Sequence, residues 1–213
     1  MGKLIVTEFM TLDGVAQAPG APDEDREGGF PYGGWQAPLE TPESGGNVVF
    51  EEASTMDALL LGRKTYEIFA AYWPFAPDEI PFTGLLNRVP KYVASRTLRQ
   101  PLEWTNSHLI SGELSGAVRD LKDRYEEVHV IGSLNLLQSL LGHGLVDRLN
   151  LWQYPIVLGA GKWVFAEGVV PTVMHLAESK VYRSGLLHLE YEPAGPPSFG
   201  RVDAEHVERG PDG

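Results

Sequence analysis

Apolar and polar positions divide the chain into short hydrophobic runs, several of which pass through a small residue into a stretch of helical spacing. Residues 3–9 read as a first strand, and 11–46 as a long irregular segment rich in Gly, Pro and acids. Loops of that length inside a domain are uncommon and often functional. A short helix is expected at 47–56, where Val48, Phe50 and Ala53 are too few to fix a buried face. The apolar run 57–61 predicts a buried strand. At 63–72, Tyr66, Phe69 and Ala70 fall at helical spacing before Trp73-Pro74 stops the helix. Further strands are expected at 91–94 and 108–111, followed by a helix at 115–125 and a strand at 128–131. That last strand runs into Gly132-Ser133 and an apolar helix marked by Leu134, Leu137, Leu140 and Leu141, with Ser133 as its expected N-cap. Residues 148–157 precede a Gly-rich turn at 158–162. Two late strands, 172–182 and 186–192, are joined by a turn of hairpin length. The polar Gly/Pro-rich stretch 193–213 is expected to be a disordered tail behind a single domain at 1–192.

Alternating strands and helices followed by an antiparallel-looking pair imply an α/β fold. The expected architecture has three layers: a mixed, mostly parallel central sheet, flanking helices and a C-terminal antiparallel hairpin. Ligands of such sheets gather at the carboxyl ends of the strands. Gly62, Ser95 and Gly132 each follow a strand directly, so parallel strands would bring all three to one sheet edge. Gly62 permits close backbone approach, and a helix start with Arg63 beside it favours an anion. Arg63, Lys64 and Thr65 are otherwise simply a polar first turn, but basic residues at the positive end of a helix are unfavourable unless an anion joins them. Ser95-Arg96 alone is a surface turn; after a strand it can fork onto a phosphate. The order of the Gly-Arg-Lys-Thr turn is not that of a nucleoside-triphosphate loop.

Composition narrows the chemistry. A formal net charge of −12 argues against a nucleic-acid groove. Half of that charge lies between Asp13 and Glu43, where seven acids face one base, Arg26. With no cysteine there is no disulfide and no thiolate metal site, which fits a reducing, cytoplasmic setting. No run is long and apolar enough for a membrane span. The six histidines are scattered without metal-ligand spacing, so no metal is expected. Trp35 and Trp73 are read as core or as walls of a substrate pocket.

Six segments carry a family resemblance: MTLDG (10–14), DALLLGRKTYE (57–67), VASRTL (93–98), VIGSLNLLQSLL (130–141), GLVDRLNL (144–151) and PIVLGAGKWVF (155–165). Together they resemble the dihydrofolate reductase superfamily, in particular its branch related to the C-terminal reductase domain of the bifunctional riboflavin-biosynthesis protein. The resemblance implies an NADPH-dependent reductase acting on a small molecule, commonly as a homodimer, with residues 145–152 as a candidate interface. It implies that Gly62, Arg63, Lys64 and Thr65 hold cofactor phosphates and that Ser95 and Arg96 take the 2'-phosphate. Gly132, Ser133, Leu134, Asn135 and Leu136 would lie under the pyrophosphate and nicotinamide half. Asp13 is implied as a substrate-site or proton-relay residue. The acid that binds the pterin in true dihydrofolate reductases should fall near Gly46 or Asn47, and neither is acidic. A noncatalytic nucleotide-binding or dimeric interaction protein that retains the fold is therefore the rival expectation.

Overall fold

The computed structural model describes residues 1–41 and 46–201. Its centre is β1 (Lys3–Thr11), a nine-residue strand buried along almost its whole length. Helix α1 (Gly46–Ala53) follows the long loop, and β2 (Ala58–Gly62) then leads directly into α2 (Arg63–Tyr72). A helix absent from the sequence reading, α3 (Pro81–Arg88), precedes β3 (Lys91–Ala94). Pro81 occupies its first turn, where a missing N–H costs nothing. The chain continues through β4 (Ser107–Ile110), α4 (Leu114–Arg124), β5 (Glu127–Ile131) and α5 (Leu134–Gly142). It closes with β6 (Arg148–Tyr154), β7 (Met174–Val181) and β8 (Leu187–Pro193).

These strands form one sheet in the order β4-β3-β2-β5-β1-β6-β8-β7. The pairs from β4 across to β6 are parallel, whereas β8 runs antiparallel to both β6 and β7. Residues of one pleat, Leu4, Val6, Leu60, Val130 and Leu149, pack with Leu137 and Leu140 of α5 and Val118 and Leu121 of α4. The opposite pleat, with Leu59, Leu61 and Val93, packs with Tyr66 of α2 and Leu85 and Leu86 of α3. The three-layer α/β fold expected from the pattern is what forms. Because side chains alternate across each strand, the near-continuous apolar runs of β2 and β5 supply both layers at once.

The first loop is packed rather than structureless. Val15, Phe30 and Trp35 are buried with Trp152 and Tyr154 of β6, and the loop carries two short 3-10 turns, Glu27–Gly29 and Ala37–Leu39. Gly161 is required where this loop crosses the 158–162 turn: at φ 131°, a Cβ there would lie 2.6 Å from Val15 Cγ1 and 2.8 Å from Phe30. At the C-terminus, Ala194 and Gly195 still exchange backbone hydrogen bonds with Val173. Residues 202–213 of the expected tail, and 42–45, lie outside the described residues. The expected dimer surface 145–152 is interior instead, since Leu145, Val146, Leu149, Leu151 and Trp152 are all buried and β6 is paired on both sides.

Candidate functional site

Parallel pairing places the ends of β2, β3 and β5 on one edge, with Gly62 level with Ala94, the residue before Ser95. A cavity of about 980 Å³ opens there and spans the carboxyl ends of the central strands. All eleven residues expected to hold a cofactor line it: Gly62, Arg63, Lys64 and Thr65; Ser95 and Arg96; and Gly132 through Leu136.

Each turn is built differently. At the third, Gly132 and Ser133 both have positive φ, 65° and 71°, which swings the chain from β5 into α5. The Gly132 amide donates to the Thr7 carbonyl at 3.0 Å, tying this turn to β1. The Ser133 side chain does not cap its own helix, as the sequence led us to expect; its Oγ accepts from the Gly62 amide at 3.0 Å. Two of the expected cofactor turns are thereby joined to each other. Neither α2 nor α5 has a side-chain N-cap, whereas α4 is capped by Glu113, whose carboxylate accepts from the amides of Ser115 and Gly116. Uncapped first-turn amides at α2 and α5 leave two positive helix ends at the cavity. In the second turn, Ser95 Oγ accepts from the amides of Thr97 and Leu98, at 3.2 and 3.0 Å, so the hydroxyl shapes its own turn and Arg96 is exposed at the rim.

The charges of α2 have partners. Arg63 pairs with Glu67 at 2.9 Å on an exposed face. Lys64 reaches Asp25 and Glu27 of the first loop at 2.5 and 3.2 Å, and Lys162 reaches the same two at 2.8 and 2.5 Å. Burial opposes ionisation of Asp25, but hydrogen bonds from Lys162 and Lys64 outweigh it and hold the carboxyl at about 2. Two of the four acids of this loop that line the cavity, Asp25 and Glu27, are thus offset by lysines there.

Asp13 departs from its expected place. It does not line the cavity; its carboxylate accepts from Thr11 Oγ1 at 2.5 Å and from the amides of Gly159 and Leu158 at 2.7 and 3.3 Å. Burial works against ionisation, yet these hydrogen bonds keep the carboxyl below the ordinary range, so Asp13 is an anionic staple of the turn and a poor proton source. Trp35 is also set back. It is buried edge-on to Tyr154, with Nε1 donating to the Gln17 carbonyl at 2.9 Å. Trp73 does reach the cavity, in an aromatic wall with Phe69 and Phe82.

Glu8, Phe9, Gln36, Glu40 and Lys162 line the cavity without having been singled out from the sequence. Glu8 is only 2% exposed, its Oε1 makes no hydrogen bond among the described residues, and burial pushes its carboxyl up to about 8. The signal was a lone acid inside the apolar first strand. Away from the cavity, one His and two carboxylates meet despite their separation in sequence: Glu52, His188 and Glu190 present ligand-type atoms within 4.8 Å of one another. His188 Nε2 lies 3.0 Å from Glu52, and Arg148 takes Glu190 at 3.1 Å.

With this geometry in hand, known proteins locate the fold. The chain matches the RibD C-terminal domain over residues 2–188. It belongs to that family. The uncharacterized protein YyaP of Bacillus subtilis (strain 168) is 28% identical over 141 residues, covering 64% of this chain and 73% of its own. A putative riboflavin biosynthesis protein from Shewanella sp. PV-4 superposes with a TM-score of 0.69 at 22% identity, over 90% of this chain and 98% of that one. Dihydrofolate reductase from Enterococcus faecalis, solved with NADP(H), gives a TM-score of 0.55 at 14% identity over 91% and 97% of the two chains. Among the described residues no helix is long and apolar enough to cross a membrane.

Proposed function

We propose that this chain is an NADPH-dependent reductase, delivering hydride to the C=N or C=O carbon of a small heterocycle or ketone bound beneath the first loop. The observation that carries the reading is the convergence of Gly62-Arg63, Ser95-Arg96 and Gly132-Ser133 on one cavity, the first and third of these turns opening the uncapped helices α2 and α5. That donor set fits a dinucleotide phosphate. Arg63 and Arg96 offer guanidinium forks to phosphate oxygens, and the first-turn amides of α2 and α5 favour a pyrophosphate. The dinucleotide, when bound, supplies the hydride; the chain binds, orients and dries the reacting groups. Phe9, Trp73 and Phe82 form an apolar end of the cavity suited to a planar ring. Cytoplasmic location and a homodimer belong to the same reading, and with 145–152 interior the two edge strands of the sheet, β4 and β7, are the candidate surfaces for self-association among the described residues.

Titration of nicotinamide fluorescence tests it. Saturable NADPH binding is expected, weakened about ten-fold by Arg63→Ala or Arg96→Ala, which is about 1.4 kcal/mol for one charge-assisted contact. No binding at high micromolar cofactor, or no loss in either variant, rejects the reading. Saturable NADPH oxidation over a panel of heterocyclic and carbonyl compounds would separate a reductase from a noncatalytic nucleotide-binding protein.

A further inference from the structure

The sheet face beneath α1 gathers polar groups that the protein around them does not satisfy. His188 and Glu190 stand two residues apart on β8 and so share a pleat, opposite Trp152 and Asn150 of β6. Glu52 of α1 meets them there, and one ligand-type atom from each of Glu52, His188 and Glu190 lies within 4.8 Å of the other two. None of the three lines the cavity. His188 is only 4% exposed, and its ring is held by stacking on Trp152, with centroids 4.4 Å apart. Although His188 Nε2 is 3.0 Å from Glu52 Oε1, the two are not aligned for a hydrogen bond. Eight buried side-chain polar atoms lack a hydrogen-bond partner among the described residues. Six of them belong to this patch: Glu52 Oε2, Arg148 Nε, Asn150 Oδ1, Trp152 Nε1, the Tyr182 hydroxyl and His188 Nε2. Such atoms are costly to bury unless something completes them.

Charge indicates what does. Glu178 lies opposite Glu190 in the register of β7 and β8, and Lys180 lies opposite His188. Arg148 reaches Glu190 Oε2 at 3.1 Å and Glu192 at 3.9 Å. When ionised, the four carboxylates of this face, Glu52, Glu178, Glu190 and Glu192, outnumber its two cations, Arg148 and Lys180, by a divalent charge. We propose that Glu52, His188 and Glu190 bind a divalent transition-metal ion that clamps α1 to β8. An imidazole nitrogen beside carboxylate oxygens suits Zn²⁺ or Co²⁺, whereas Ca²⁺ and Mg²⁺ take oxygen donors. Two donors each about 2.1 Å from such an ion are at most about 4.2 Å apart, so a slight turn of the two Glu side chains closes the set. Arg148, on one oxygen of Glu190, fixes that carboxylate and leaves its other oxygen for the ion. Glu52 and Glu190 keep side-chain exposures of 21% and 14%, which gives the ion its way in. Helix α1 also carries Val49 to the cavity and Phe50 onto Phe82, so the ion steadies a wall of the cavity without touching it.

The full chain, stripped with a chelator, is titrated calorimetrically with Zn²⁺, Co²⁺, Ca²⁺ and Mg²⁺ in turn, and its thermal unfolding is followed with and without Zn²⁺. The expected result is about one Zn²⁺ per chain, a thermal midpoint that rises with Zn²⁺, and Ca²⁺ and Mg²⁺ binding weaker by at least about ten-fold. Glu52→Gln and His188→Gln should each weaken Zn²⁺ binding by at least about ten-fold. His175→Ala, which removes an exposed histidine of β7, should leave it unchanged. A second reading needs no substitution at the site: Co²⁺ added to wild type should broaden the NMR signal of the Trp152 indole, stacked on His188, before that of Trp104 in the opposite part of the sheet. The proposal is overturned if wild type binds neither Zn²⁺ nor Co²⁺, if Ca²⁺ or Mg²⁺ binds as tightly as Zn²⁺, or if Zn²⁺ leaves the thermal midpoint unmoved. It is equally overturned if either ligand variant, once folded, binds like wild type, if His175→Ala abolishes binding, or if Trp104 broadens as early as Trp152.

Discussion

Substituting Glu8 by Gln should change how the stability of the fold responds to pH, in a way that needs no ligand. The wild-type carboxyl titrates at about 8 when folded, against 4.5 for an ordinary Glu. Between those values the native protein holds a proton that the unfolded chain has released. Stability therefore falls as pH rises from 4.5 to 8 and levels off above it. At about 1.36 kcal/mol for each pH unit, that interval is worth about 5 kcal/mol, comparable with the whole stability of many domains. Glu52, also raised to about 8 by burial and then by repulsion from Glu190, titrates in the same window, so the wild-type curve alone does not isolate Glu8. The difference between wild type and Glu8→Gln does. Urea unfolding followed by tryptophan fluorescence at intervals from pH 5 to 9 should show the variant gaining on wild type by several kcal/mol, with the gain ending near pH 8. Parallel curves would refute the buried-acid assignment.

Other substitutions probe the supports of the site. Ser133→Ala removes the acceptor of the Gly62 amide and should cost about 1–2 kcal/mol, whereas Ser133→Gly should cost less because it relieves about 1 kcal/mol of left-handed strain. Equal losses in urea unfolding would rule out strain at this residue. Asp25→Asn should destabilise by about 1–2 kcal/mol at pH 7, a difference that shrinks as pH falls from 3.8 through about 2, where the native carboxylate is lost. Lys91 is buried on the carbonyls of Leu86 and Asn87 and over the Trp104 ring, and burial lowers it to about 8. The unfolded chain keeps that proton up to 10.5, so wild type should gain stability relative to Lys91→Met between pH 8 and 10.5, measured by the same unfolding assay.

The parts of the fold that were legible in the sequence are those set by local rules. Apolar runs ending in Gly62, Ala94 and Ile131 mark strands, and parallel pairing alone then gathers the turns that follow them. Helix α3 was not visible because Pro81 and Gly84 break the usual helical pattern, although Pro is well suited to a first turn. Side-chain partners set by the tertiary fold were also hidden. Asp13 was implied as a substrate-site or proton-relay residue, and only the tertiary fold reveals the two amides of the 158–162 turn that its carboxylate accepts from. Trp35 was read as core or as a pocket wall, and it is core, buried edge-on to Tyr154 and absent from the cavity lining. Glu8 was not singled out within the first strand, because nothing local reveals that both sides of β1 would be covered. Residues 145–152 looked like an interface for the same reason: an apolar strand does not say whether its partner is the same chain or another.

The pairing of Asp25 and Glu27 with Lys64 and Lys162 also governs a response to salt. It fastens three distant parts of the chain, the first loop, the start of α2 and the 158–162 turn, at the mouth of the cavity. Its two halves differ in contact with water, Asp25 having a side-chain exposure of 12% and Glu27 of 64%. Dissolved salt acts first on the Glu27 half and leaves the sheltered Asp25 half engaged. Ionic strength should therefore loosen the clasp between the first loop and the 158–162 turn in two steps, the Glu27 half giving way well before the Asp25 half.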